Sequence, residues 1–219
     1  MKMMCALHHL WVWFCFKLAL NTVPFSELPS KCTSPSPRTT MSGNGERNLR
    51  EPSMEQVRGL FRELSKTSDI INNILWAVLN PQLNHPLTVS EALLTWLVKQ
   101  CIKENFASLV KCLIELPYHN ADEHLKIQWL QDLVKLSYRD NEDSFEKFCA
   151  TLAMASMYIM FVLENRAEFV SLVSHVLGSF YLRHRMAWMV RIQGFSTGAR
   201  KKYPGLWLST RLKMLYKVN

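Results

Sequence analysis

The spacing of apolar residues between Pro52 and Leu177 constrains the fold of this chain more than any other feature. Apolar side chains recur every three or four positions, and no stretch shows the sustained alternation of a β-strand. Five polar residues also precede a Glu or Gln by three positions, the pattern that caps the first turn of a helix. The pairs are Ser53 with Gln56, Thr88 with Glu91, Asn120 with Glu123, Asp143 with Glu146, and Asn165 with Glu168. The region is therefore predicted to be all-α.

The apolar stripes divide this region into about seven antiparallel amphipathic helices. They are predicted over 54–64, 70–79, 89–103, 106–116, 125–134, 144–163 and 169–177. Pro81 and Pro117 follow the second and fourth helices, which they cannot continue. Gly178 is predicted to be the residue that ends the seventh.

The predicted sixth helix has no charged residue from Phe148 to Leu163. These sixteen residues fall short of the roughly 17–25 that cross a bilayer, and they include polar Thr151 and Ser156. The interpretation favoured here is a central helix covered on all sides, with a membrane span as the alternative. Its three methionines are predicted to fill the core rather than to form an adaptable binding stripe. They are Met154, Met157 and Met160.

A short internal repeat bears on how the helices are arranged. Residues 106–110 (FASLV) and 169–173 (FVSLV) are identical at four of five positions, and each follows a short polar break. Loosely repeated helical hairpins resemble the units of a short HEAT- or armadillo-type solenoid. A compact helical bundle is the alternative.

Charge is distributed unevenly along the chain. Residues 1–50 carry six basic and two acidic side chains, residues 51–177 carry eleven and sixteen, and residues 178–219 carry nine and none. Together with composition, this divides the chain into a leader and a polar linker that is predicted to be disordered (1–50), a helical domain (51–178) and a basic, aromatic tail (179–219). Because the middle is mildly acidic, a uniformly basic nucleic-acid-binding domain is not indicated.

The tail combines cations with aromatic rings. Such a composition suits single-stranded nucleic acid or an anionic membrane surface, and a non-specific tail is the remaining alternative. Integral membrane insertion is not expected. The candidate contacts to nucleic acid or an anionic surface are Arg183, Arg185, Arg191, Arg200, Lys201, Lys202, Arg211 and Lys213.

The first fifty residues raise the question of location. Lys2 and the apolar run 10–16 resemble a short signal peptide, whereas a start at Met41 would remove the whole leader. The six cysteines form no C-x-x-C pair, and no Asn-x-Ser/Thr site occurs. We therefore expect reduced thiols and an intracellular location, nuclear or cytoplasmic, with secretion as the lesser alternative.

One catalytic motif occurs in the sequence: residues 194–198 (GFSTG) fit the G-x-S-x-G nucleophile elbow of serine hydrolases. The elbow requires an acid and a histidine later in the chain, and neither follows Ser196. No two histidines have the four-residue spacing of a helical metal site, and no phosphate-binding glycine loop occurs. No catalytic residue, metal ligand or cofactor is therefore predicted.

The sequence predicts a non-catalytic protein–protein interaction module, a scaffold or adaptor that presents a helical surface. Trp96 and Trp129 are the leading candidate protein contacts if either is exposed, because aromatic anchors dominate interfaces. The alternative is a nucleic-acid-associated protein that binds through its basic tail.

Overall fold

A computed structural model of the protein describes residues 58, 62, 65–82, 86–114, 116, 121–140, 142–164 and 166–216. The predicted leader, and the first predicted helix apart from Arg58 and Arg62, lie outside these residues. Within the described ranges the chain forms eight helices and no strand, which confirms the all-α prediction. The helices are α1 (Thr67–Leu79), α2 (Val89–Ile114), α3 (Glu123–Ser137), α4 (Phe145–Phe161), α5 (Ala167–His184), α6 (Met186–Ile192), α7 (Gly194–Lys202) and α8 (Pro204–Tyr216).

The capping box predicted at the start of α2 is present. The Thr88 amide donates to Glu91 Oε2 at 2.7 Å, and the Glu91 amide donates to Thr88 Oγ1 at 3.3 Å. Glu91 is only 4% exposed, and its other oxygen accepts from Asn73 Nδ2 of α1 at 2.8 Å. The cap therefore also fixes α2 against α1.

Other helix starts differ from the predicted caps by one or two residues. Asp122, rather than Asn120, caps α3, and Ser144, rather than Asp143, caps α4. Arg166 precedes α5 without a side-chain cap bond. In α3 and α4 the side chain that accepts a hydrogen bond from a first-turn amide thus lies one or two residues after the predicted capping residue. Asn120, Asn165 and the pair at Ser53 lie outside the described residues.

The two helices predicted over 89–103 and 106–116 are one continuous helix, α2. Asn105, which marked the predicted break, is buried, and its Nδ2 donates to the Cys101 carbonyl at 3.0 Å. A polar side chain that hydrogen-bonds to a carbonyl of the preceding turn can lie inside a helix without interrupting it. The prediction of two helices here is wrong, and the 106–110 repeat lies inside one helix rather than at the start of a second.

Helix α4 lies at the centre of the molecule. Every residue from Phe148 to Ile159 is buried, which confirms the prediction of a central helix covered on all sides. Met154 and Met157 fill the core as predicted, whereas Met160 is exposed.

The other helices surround α4 as a bundle. Helix α1 packs against α5, and α2 packs against α7 and α8 as well as α4. In a solenoid each repeat contacts only its neighbours, so these contacts between distant parts of the chain describe a closed bundle. The solenoid-like stack is not confirmed.

Gly178 does not end a helix. Helix α5 continues to His184, and the sequence-based boundary after residue 178 falls inside it. A Cβ atom at Gly178 would lie 2.1 Å from Ser68 Oγ of α1, so the glycine permits close packing of the two helices.

The segment after Gly178 supplies much of an aromatic core. Phe195 of α7 stacks on Phe148 of α4 with ring centroids 4.0 Å apart. Tyr181 meets both rings nearly edge-on, and Trp188 of α6 lies 5.8 Å from Phe195. Residues 179–216 are therefore part of the same folded unit as α1–α5.

The G-x-S-x-G string forms the first five residues of α7. Gly194 has a φ of 79°, and a Cβ at Gly198 would lie 2.7 Å from Phe145 Cζ. The Ser196 carbonyl accepts from Ser90 Oγ at 3.0 Å, and Ser90 Oγ in turn accepts from Trp207 Nε1 at 3.2 Å. The positive φ accounts for Gly194 and helix packing accounts for Gly198, and α6, not a strand, precedes the string.

Candidate protein interface

Helix α8 packs on the bundle through one face. It contacts α2 and α7, and none of its residues is buried. Its half-buried side chains have the three- or four-residue spacing of a single helix face. They are Leu206, Trp207, Thr210 and Met214.

The opposite face of α8 is apolar and exposed. Leu208, Leu212, Leu215 and Tyr216 have exposed fractions of 52%, 46%, 59% and 77%. Positions i, i+4, i+7 and i+8 lie within one arc of a helix, so these four side chains form a continuous stripe. We call this stripe the α8 outer face.

Cations border the α8 outer face. Arg211 and Lys213 lie on its two sides by helical position, and both are exposed. No acidic residue occurs in α6, α7 or α8. The Arg211 and Arg200 guanidinium carbons lie 5.6 and 5.9 Å from the centre of the Trp207 ring, within cation–π range.

Glu146 of α4 helps to hold the chain where α8 begins. Its Oε1 accepts from Tyr203 Oη at 2.8 Å and lies 3.5 Å from Lys202 Nζ. Partial burial raises the pKa of the Glu146 carboxyl, but hydrogen bonds, including that of Tyr203, and the Lys202 charge outweigh it and hold the pKa below its usual value. A carboxylate thus anchors the turn between α7 and α8.

The two predicted tryptophan contacts differ in exposure. Trp96 is 41% exposed on α2, and by helical position Ile114, which is 65% exposed, lies on the same face. Trp129 of α3 is only half-buried. Trp96 is therefore exposed enough to contact a partner, whereas Trp129 is only partly exposed.

A comparison with protein families matches residues 57–218 to the BALF1 protein family. The chain belongs to the BALF1 protein family. A relative described as "Uncharacterized gene E4 protein", from Equine herpesvirus 2 (strain 86/87), is 28% identical over 162 residues, which cover 73% of this chain and 88% of the relative. No solved structure matches.

The region matched to the BALF1 family includes all eight helices, and so includes the basic tail. The tail's aromatic rings are mostly turned inward. Tyr181, Trp188 and Phe195 are buried, and Phe180, Tyr203 and Trp207 are half-buried, so Tyr216 is the only exposed Phe, Tyr or Trp ring of the described tail. Stacking on nucleotide bases requires exposed rings. The aromatic content of this part of the BALF1 region therefore belongs mainly to the core.

One predicted surface cation, Arg185, is not free to bind a partner. Its side chain is 12% exposed, its Nη2 donates to the Tyr138 carbonyl at 2.8 Å, and its Nε lies 3.6 Å from Asp143 Oδ1. Its guanidinium also covers the Tyr138 ring at 4.8 Å. Arg185 thus joins the end of α3 to the end of α5, and these contacts within the fold do not favour its predicted role as a surface contact.

The other predicted cations lie at the surface but not in one place. Lys201 donates to Gln193 Oε1 at 2.9 Å, and Lys202 lies beside Glu146. Those that are exposed are Arg183 on α5, Arg191 on α6, Arg200, Lys201 and Lys202 on α7, and Arg211 and Lys213 on α8.

The sequence did not single out the leucines of the α8 outer face. Helix α8 carries apolar residues on two opposite faces, so its pattern has no clear amphipathic period. The helical spacing of residues 208, 212, 215 and 216 could have predicted an apolar face. The packing of the opposite face on α2 and α7 was needed to show that this face is exposed.

Metal ligands and membrane spans were the two other features considered in the sequence. No group of three His, Cys, Asp or Glu side chains that could hold a metal ion occurs among the described residues. None of the helices in those ranges is long and apolar enough to cross a membrane.

Proposed function

We propose that this chain is a non-catalytic protein–protein interaction module, a scaffold or adaptor that engages its partner through the α8 outer face. The observation that supports this proposal is that α8 has two opposite apolar faces, and the other described helices cover only one of these faces. Single exposed apolar residues are ordinary on protein surfaces, but a continuous stripe of four large ones is typical of an interaction site.

The size of this stripe indicates what the partner must supply. Covering side chains that are about half exposed contributes on the order of 1 kcal/mol each, or about 4 kcal/mol in total. Association itself costs at least about that much. A stable complex therefore needs apolar area buried on the partner as well, and charged contacts at the rim add mainly specificity and association rate.

The rim defines the chemistry of that partner. Because Arg211 and Lys213 border the stripe and α6–α8 contain no acid, a fitting partner has an apolar stripe flanked by Asp or Glu. We propose an amphipathic helix of this kind as the occupant of the α8 outer face. Trp96 is a candidate for additional contact on α2.

The buried thiol of Cys149 fits a module that works in a reducing compartment, and we propose the nucleus or cytoplasm. A nucleic-acid-associated role through the tail is the alternative. It would depend on phosphate contacts by exposed cations, since most tail rings face the core.

A defined peptide tests the proposal with the full-length chain. The probe is a fluorescent amphipathic helix whose leucine stripe is flanked by glutamates, and fluorescence anisotropy measures its Kd. We expect Leu208→Ser with Leu212→Ser to weaken binding at least about tenfold, which corresponds to 1.4 kcal/mol. The matched control is Leu172→Ser, a leucine of α5 that is 43% exposed, which should leave the Kd within about twofold.

Two results would count against the proposal. Equal weakening by the Leu172 control would show that the loss of binding is not specific to the α8 outer face. Tight binding of a single-stranded oligonucleotide, with a salt dependence reduced by Lys201→Gln and Lys202→Gln but not by the leucine variants, would favour the nucleic-acid role.

A further inference from the structure

Helices α3 and α5 are joined at both ends and separated between them. Near their starts Glu123 forms an ion pair with Arg166. Near their ends Tyr138 and Tyr181 share a hydrogen bond between their hydroxyl groups at 2.7 Å. The two helices therefore run in the same direction, and a cavity of about 510 Å³ opens between them. We call it the α3–α5 cavity.

The floor of the α3–α5 cavity is apolar. Val134 of α3 is almost fully buried, and Val176 and Phe180 of α5 are half-buried. Phe180 is held in place by the Tyr138 ring at 5.4 Å between centroids. A ligand that enters the cavity would therefore meet fixed hydrocarbon and aromatic surface.

The rim of the cavity is rich in basic side chains. Lys135 comes from α3, and His175, Arg183 and His184 come from α5. Gln131 and Ser179 complete the polar lining, and no carboxylate is part of it. All of these residues lie on one face of each helix, so rigid elements position them.

Helix dipoles explain only part of this arrangement. Cations are favoured in the last turn of a helix, where Lys135, Arg183 and His184 lie. His175 lies in the middle of α5, and the dipole does not explain why cations from two helices surround one cavity. Asp132 pairs with Lys135 at 3.3 Å, but the pair is exposed and therefore weak.

We propose that the α3–α5 cavity binds a phosphate monoester attached to an apolar or aromatic group. Lys135 and Arg183 supply two fixed positive charges, and a phosphate monoester carries nearly two negative charges and three acceptor oxygens. The two imidazoles add N–H donors, and the apolar floor accepts the attached group. The volume lies in the range of small-molecule sites. The cavity shares no residue with the α8 outer face.

Chemical-shift titration of the full-length chain with phenyl phosphate, up to about 10 mM, tests this site. We expect shifts at residues lining the cavity, and weaker binding of inorganic phosphate, which lacks the ring. Lys135→Gln with Arg183→Gln should weaken phenyl phosphate binding at least about tenfold. Arg191→Gln removes an exposed arginine of α6 and should change the Kd by less than about twofold.

A parallel titration with a short phosphotyrosine peptide distinguishes the source of the phosphate. Tighter binding of the peptide than of phenyl phosphate would indicate a protein-borne group, and equal binding would indicate a free small molecule; both support the site. A melting temperature lowered by the double substitution with unchanged phenyl phosphate binding would overturn the proposal, because the cations would then serve only the helix ends. So would equal weakening by Arg191→Gln, or no binding to the wild-type chain.

Discussion

Replacing Gly178 by alanine places a methyl group where α5 crosses α1. The added Cβ would lie 2.1 Å from Ser68 Oγ and 3.1 Å from both Ser68 Cα and Ser68 Cβ. The hydroxyl can rotate away, but the backbone carbon can yield only if the helices separate. The substitution therefore strains the packing of α1 on α5.

The expected magnitude combines two opposing effects. Overpacking of a tight contact costs about 1–3 kcal/mol, whereas alanine in place of glycine inside a helix contributes up to about 1 kcal/mol. We expect a net loss of about 1–2 kcal/mol in the free energy of unfolding, or roughly 2–8 °C in Tm for a protein of this size.

Urea denaturation followed by circular dichroism measures this loss. Ser68→Ala alone removes the 2.1 Å neighbour and should be nearly neutral, and the combined Ser68→Ala and Gly178→Ala variant should recover only a small part of the lost stability, because Ser68 Cα and Cβ remain 3.1 Å from the added Cβ. If Gly178→Ala were neutral or stabilising by itself, the close approach of α1 and α5 would be refuted. Gly178 would then be an ordinary helix position.

Three further predictions concern the core and its ionisable groups. Phe195→Ala should cost about 3–5 kcal/mol in urea denaturation, because its buried ring stacks on Phe148; an unchanged midpoint would mean that α7 adds nothing to the core. Because the pKa of Glu146 is lowered in the folded state, its contribution to stability is present above its ordinary pKa and lost as the pH falls through the folded value. Glu146→Gln should therefore reduce the loss of Tm between about pH 5 and pH 3, and an identical acid profile would contradict the Tyr203 contact. Burial raises the pKa of the Cys149 thiol, so alkylation mapped by mass spectrometry should modify half-buried Cys112 before Cys149, and equal rates would contradict the burial of α4.

The helices themselves were predictable because local patterns determine them. The charge-free stretch after Lys147 predicts a central helix, and the bundle does place α4 there. Caps were harder to place, because Asp143 and Ser144 are both good capping residues and only the chain path selects Ser144. The predicted break at Asn105 was wrong, because the Asn105 side chain hydrogen-bonds to the α2 backbone and does not interrupt the helix.

The role of the tail could not be predicted from the sequence. A buried ring and a ring that stacks on a base look alike in composition, and contacts with α4 decide that Phe195 is buried. Arg185 is similar, because its partners Tyr138 and Asp143 lie more than forty positions earlier. The α8 outer face could not be predicted either, because only the packing of the opposite face of α8 shows that these leucines are exposed.

The bond from Trp207 to Ser90 has a consequence for how the protein is made. Ser90 lies in the first turn of α2, yet its hydroxyl is bonded to Ser196 and Trp207, which the ribosome adds more than one hundred residues later. Until α7 and α8 emerge, the apolar surfaces of α2 and α4 that they cover remain open to water. We expect the growing chain to need chaperone protection late in translation, and a premature stop after α5 to give an aggregating product rather than a smaller working module.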